Sequence, residues 1–325
     1  MKTQMKKITV KGLWEVLKNS FEGFSEHNIT KLSASLAYYT VFSLGPLLIM
    51  IIFLCSIFFG REAVEGTIYG QIEGFVGKDA ALQLQQIIKN AALGKGTTAA
   101  IIGGITLLIG ATTIFAEIQD SINTIWDLKV KPKAGWFKLV KTRLLSFGVI
   151  GSLGFLLLVS LGVTALIEAL TNRLKAHFPD ITVVLFYIIN LAITFSVITA
   201  LFCVIFKVLP DAKVKLKDVL SGSIATAILF MLGKFAISFY ISKTEVGSTY
   251  GTAGSLVVLL VWIYYSSIIL YFGAVFTKAY AIKFGGKIHP NQYAVIAQTV
   301  EVEQGKQSIQ QAEKSKEVIE QKIKQ

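Results

Sequence analysis

The stretch from Tyr250 to Ala281, YGTAGSLVVLLVWIYYSSIILYFGAVFTKAYA, carries a single charge, Lys278, near its end. At about 1.5 Å of rise per residue, it exceeds the roughly 20 residues that cross a hydrocarbon core of about 30 Å. Other long charge-free runs are Leu32 to Gly60, Gly96 to Ala116, Leu144 to Ile167 and Ile181 to Phe206, and Val219 to Ser242 is interrupted only by Lys234. A chain of 325 residues that is 53% apolar and 16% charged is not an ordinary soluble domain. The expected fold is an all-α polytopic membrane protein with six transmembrane helices. A barrel would instead alternate apolar and polar positions in segments of about ten residues.

Lys and Arg test the six-helix count, because they gather on the cytoplasmic side of inner-membrane proteins. The segment before the first run holds six lysines. Lys129, Lys131, Lys133, Lys138, Lys141 and Arg143 fill the second loop, and Lys207, Lys213, Lys215 and Lys217 the fourth. The first loop balances its charges, while the third and fifth are short and nearly neutral. This alternation places both termini in the cytoplasm. It also accounts for the net charge of +12 as topology and attraction to anionic headgroups, so no nucleic-acid partner is expected.

Three regions result: a cytoplasmic amphipathic segment at 1–31, a transmembrane domain at 32–284 and a polar, mobile cytoplasmic tail at 285–325. No cleavable signal peptide is expected in the first 30 residues. Val10, Leu13, Trp14, Leu17, Phe21 and Phe24 recur there at helical spacing, which suits a helix lying on the interface or one packed beneath the bundle. In the first outer loop, Ala63 to Leu93 reads as a pair of short amphipathic helices. The tail after Pro290 is helical if structured at all.

Little supports catalysis. His27, His177 and His289 fall in separate polar segments, so no metal site is expected, and no nucleotide or hydrolase motif points to a cofactor. Cys55 and Cys203 lie within spans, with neither a CxxC pair nor a neighbouring His, and read as packing residues.

Polar residues inside spans are the remaining signal. In the first span Ser35, Tyr39, Phe42, Ser43 and Pro46 lie near one face, and Pro46 removes a backbone donor and kinks the helix, which turns that face inward as either a purely structural kink or part of a pathway. Gly148 and Ser152, with Gly151 and Gly154, suit close helix contact in the third span. In the last span Trp262, Tyr264 and Tyr265 lie too deep for an interfacial belt and should face protein or a cavity. Lys234 lies about 24 Å along its helix from Asp218. A lysine there faces a pathway and binds an anionic group, snorkels to the headgroups, or is buried neutral. In the loop SINTIWDLKVKPKAGW, Asn123 and Trp126 stand at the exit of the second span, with Glu117 or Asp120 near Arg143, forming either a clamp or an interfacial anchor.

From about Leu32 to Ala281 the chain resembles the YihY/virulence factor BrkB family of bacterial inner-membrane proteins, formerly mislabelled ribonuclease BN. The resemblance is carried by SLAYYTVFSLGPLL, SINTIWDLK, VLPDAKVKLKDVLSGSIATAILFMLGKFAISFY and the stretch quoted first. It implies six spans and an envelope role, with a transporter-like activity often suggested and no settled substrate; nothing in the residues supports the nuclease label. Where many relatives carry Gln and then Gly-Ala-Glu, this sequence has Ile268 and Gly273, Ala274, Val275. Positions 268 and 275 share a helix face, so a polar face has been closed, which removes the acidic partner expected for Lys234.

The leading expectation is a transporter or lipid-handling protein of the bacterial inner membrane. Its pathway would lie between the first, fifth and sixth spans, lined by Lys234, Tyr38, Tyr39, Pro46, Tyr264 and Tyr265. Its partners are membrane lipids, an anionic lipid or a small molecule. The alternative is a scaffold for the envelope; an enzyme is not expected.

Overall fold

The computed structural model describes residues 9–43, 97–131, 179–244, 254–286, 288–292 and 294–297, with isolated positions between 144 and 156. Its helices are α1 (Val10–Glu26), α2 (29–43), α3 (Thr97–Ile125), α4 (Pro179–Val208), α5 (Leu216–Thr244) and α6 (Gly254–Lys283). Its strands are β1 (Leu128–Val130), β2 (Ala212–Lys213), β3 (His289–Pro290) and β4 (Ala294–Ile296). Backbone in lipid must satisfy itself, so the apolar runs become helices. Among the described residues three are long and apolar enough to cross a membrane: Ile188–Val208, Leu216–Lys234 and Leu256–Lys283. The outer-loop helices expected at 63–93 and the proline kink at Pro46 lie outside the described residues.

The helices α5 and α6 run antiparallel along a seam of small residues. A Cβ on Gly222 would overlap Thr277, one on Gly273 would overlap Thr226, and one on Gly233 would overlap the Tyr265 ring. Each threonine turns its hydroxyl back on its own helix, Thr226 to the Gly222 carbonyl at 2.7 Å and Thr277 to the Gly273 carbonyl at 2.6 Å. The polar atoms are thereby satisfied, and the two backbones approach closely. Against α5, α4 packs Phe202 on Phe230 with ring centroids 5.9 Å apart, and Phe230 in turn meets Trp262 of α6 at 6.1 Å.

Thr9 caps α1, accepting from Gly12 N–H at 3.2 Å. The helix lies against the end of α6 through Gly12, Val16, Ser20 and Gly23, all buried. Val16 joins Phe276, Tyr280 and Phe284, and Glu15 pairs with Lys283. The opposite face leaves Val10 and Trp14 (70%) exposed, and the partly exposed Phe21 sets its ring 5.2 Å from Phe272 of α6, so a packed seam and an exposed apolar face coexist on one helix.

One end of the bundle gathers α1, the α3–β1 turn, the α4–α5 connection and residues 284–297. Two short antiparallel pairs clasp this end: β1 with β4, Leu128 opposite Ile296, and β2 with β3, Lys213 opposite His289. Residues 294–296 are thus extended, not helical. Beneath the clasp lie the most enclosed side chains, among them Ile122, Ile125, Phe206, Leu209, Val219 and Tyr271.

Two expected features differ. Gly148 and Gly151 are exposed, and among the described residues a Cβ on either would meet nothing within 4 Å, while Gly154 lies outside the described residues. Among the described residues the small-residue seam lies between α5 and α6. Trp126 is no surface anchor: it is 5% exposed, inside the core.

Candidate functional site: the polar junction at the basic end

The α4–α5 connection is VLPDAKVK, and its Asp211 is 1% exposed. A buried carboxylate requires donors. Gln119 Nε2 donates to Oδ1 at 3.0 Å and Asn123 Nδ2 to Oδ2 at 2.9 Å, both from α3. The Asp211 N–H donates back to Asn123 Oδ1 at 2.9 Å, which fixes the orientation of that amide. The Asp211 carbonyl then accepts from the Asn291 N–H at 2.9 Å. One aspartate therefore ties α3, the α4–α5 connection and the segment after α6.

A second tie closes the end of α3. Asp127 has φ 54°, a left-handed turn that stops the helix. Lys278 of α6 donates to the Ile125 carbonyl at 2.7 Å and to Asp127 Oδ2 at 2.6 Å, placing a cation on a helix C-terminus. Trp126 Nε1 donates to the Ala274 carbonyl at 3.1 Å, and Ala297 N–H to the Asp127 carbonyl at 2.8 Å. His27, at the end of α1, is held below the ordinary imidazole value by burial and then by the charge of Lys278, with Asp127 opposing. At the other end of α1's contact, the hydrogen bond and charge of Lys283 lower Glu15 below the usual carboxylate value.

A third tie sits at the start of α5. Asp218 is buried and accepts the Gly286 N–H at 3.0 Å. A Cβ on Gly285 would overlap that carboxylate, so only glycine lets the chain pass so closely there. Higher in the bundle, Ser35 of α2 donates to Glu117 Oε1 of α3 at 2.6 Å. Nearby, the fully buried Tyr271 hydroxyl lies beside Ser121 without the geometry of a hydrogen bond.

Of the loop residues expected from sequence, the structure thus brings Asn123 and Trp126 into the junction and joins Glu117 to α2. Asp120 is exposed, and Arg143 lies outside the described residues, as does Pro46. Of the pathway residues, Tyr38 is 59% exposed and its ring meets Tyr39 at 5.7 Å and Phe42 at 4.8 Å. Tyr39 and Lys234 are exposed, while Tyr264 and Tyr265 are half-buried, Tyr265 against Gly233. The departure at Val275 has a local reason. It is buried under α1, where a Cβ on Gly23 would come within 2.9 Å of Val275 Cγ1. A carboxylate there would be sealed beneath that helix.

Sequence reading missed Gln119, Asp211, Asp218 and Lys278. Two signals were present: an acid after a proline within a basic loop, and the single charge in the longest apolar run.

No solved structure matches this chain. It is 26% identical over 258 residues to a UPF0761 membrane protein of Ralstonia nicotianae, covering 77% of this chain and 55% of the relative. It is 24% identical over 257 residues to one of Pseudoalteromonas atlantica, covering 79% and 82% respectively, and 26% identical over 259 residues to one of Aeromonas salmonicida, covering 77% and 83%. The chain therefore spans little more than half of the Ralstonia relative. A family model described as Virulence factor BrkB matches residues 20–294, and the chain belongs to that family of membrane proteins.

Proposed function

We propose that this protein handles lipid in the bacterial inner membrane: a non-enzymatic, six-span protein with both termini cytoplasmic, which offers polar side chains to lipid and encloses no aqueous pore. The observation that carries this reading is the exposure of Lys234, Tyr38 and Tyr39 beside exposed apolar neighbours: Ile228, Leu229 and Leu232 on α5, and Phe42 on α2. A lysine within a span costs about 2.5 to 3.5 kcal/mol, which a partner within the protein, a bound phosphate or a route to the headgroups offsets. The Gly–Thr seam is an argument against a water path between α5 and α6, so the pathway runs along the lipid-facing side of these helices.

The clustering of Lys129, Lys131, Lys207, Lys213, Lys215, Lys217 and Lys283 at one end supports assigning that end to the cytoplasm. Reporters fused after Lys133 and Lys213 should then read cytoplasm, and one near Gly94 the outside. The functional test is transbilayer movement of headgroup-labelled phospholipid in liposomes containing the purified protein, with a trapped aqueous dye as control. Lipid movement without dye loss is expected. Dye loss would indicate a pore, and neither signal would favour the scaffold reading, which the tight seam and junction also suit.

A further inference from the structure

Beside the junction, a half-open cavity of ≈ 470 Å³ is lined by Trp126, Asp127, Lys278, Ile282, Gly286 and His289, among others. Its size lies within the range of small-ligand sites. Lys278 spends two of its three protons on Ile125 and Asp127, leaving one for a ligand. Two more cations stand just outside the lining, each beside a residue that forms it. The Lys215 ammonium lies against Gly286, where an added Cβ would come within 2.7 Å of Nζ. Lys213 stands directly opposite His289 in the β2–β3 pair, so both side chains share one face. Asp127 is the one carboxylate in the lining and Lys278 already engages it, while the buried Asp218 carboxylate stands behind Gly285 and Gly286, accepting the Gly286 N–H. Ile282 (70%) and Ile296 form an apolar lip, both exposed.

We propose that this cavity is a phosphate site, in which Lys278 with Lys215 and Lys213 holds the phosphate group of a ligand and Ile282 and Ile296 meet its apolar part. A phospholipid headgroup and free phosphate share this chemistry; the apolar lip suits the lipid. The site lies on α6 and the loops, apart from Lys234, so failure here leaves the lipid-movement experiment unaffected.

The test is thermal unfolding of the full chain in a phosphate-free, neutral detergent. It is titrated separately with inorganic phosphate, with dihexanoyl phosphatidylglycerol and with dihexanoylglycerol, which lacks phosphate. A saturable rise in unfolding temperature with either phosphate-bearing probe, and none with dihexanoylglycerol, is expected. A response to inorganic phosphate identifies a free-anion site, and one to the lipid alone a headgroup site; both support the proposal. Lys278 also closes α3, so Lys278→Met is open to misfolding. Ile282→Glu, at an exposed position, should instead unfold at the wild-type temperature without ligand and bind at least about tenfold more weakly. No rise with either phosphate probe, an equal rise with dihexanoylglycerol, or wild-type affinity in Ile282→Glu would overturn the site.

Discussion

Exchanging the two side chains of the Asp211–Asn123 pair is the sharpest test of the junction. Asn123 makes two bonds in fixed directions, donating to Asp211 Oδ2 and accepting from the Asp211 N–H. Asn123→Asp keeps the acceptor for that N–H but sets a second carboxylate against the first in a buried site. Leaving a buried charge uncompensated costs about 3–5 kcal/mol. Asp211→Asn is milder: the new amide oxygen accepts from Asn123, and Gln119 flips its own amide to accept from the new NH2, a loss of about 1 kcal/mol. In the double variant, the amide at 211 donates to the carboxylate at 123, which still accepts the backbone N–H, and its oxygen accepts from Gln119. Every group is satisfied again. The assay is unfolding temperature of purified protein at one fixed scan rate, since membrane proteins of this size often unfold irreversibly. The double variant should unfold well above Asn123→Asp, with a coupling of about 2–3 kcal/mol. A double variant no more stable than Asn123→Asp, or an Asn123→Asp variant that behaves as wild type, would refute the hydrogen-bond assignment.

Trp126→Ala removes a buried aromatic and the donor to Ala274, and should cost about 3–5 kcal/mol while activity per folded molecule holds; lost activity with unchanged folded yield would contradict this. Gly273→Ala should destabilise by about 1–3 kcal/mol because Thr226 blocks its Cβ, whereas Gly148→Ala, with open space around it, should be neutral or better in the same melt. For His27 the lowered value means that the unfolded chain binds the proton more readily. Stability is therefore fully present above the ordinary value of about 6.5 and falls as pH drops from there toward the lowered folded value. A His27→Gln variant should lose that part of the pH dependence, and melts from pH 8 to 5 check it.

Much of the helical framework was legible. The run Ile181 to Phe206 became α4 (Pro179–Val208), and Val219 to Ser242 became α5 (Leu216–Thr244), because run length alone dictates a span. The end of α6 was harder. Sequence placed Lys278 near the end of the stretch but not what holds it: its ammonium is satisfied by the end of α3, and α6 runs on to Lys283. Helical periodicity revealed α1, but not its buried face: the large residue Trp14 stays out while Gly12, Ser20 and Gly23 go in, since small side chains let α6 come close. The junction was least legible. Asn123 and Asp211 are 88 residues apart, and nothing local to either announces the other. The same holds for the strand pairs, whose partners lie across the α3–β1 turn, the α4–α5 connection and the segment after α6.

The central claim, that polar groups facing lipid carry the activity, rests most directly on Lys234. The measurement is the rate of transbilayer lipid movement in liposomes containing wild type, Lys234→Met or Lys234→Arg at equal folded protein. Removing a charge from a span favours insertion, so Lys234→Met should fold and reconstitute normally. The account predicts that its rate falls to that of protein-free liposomes while Lys234→Arg keeps part of the wild-type rate; a Lys234→Met protein that moves lipid as fast as wild type would contradict it.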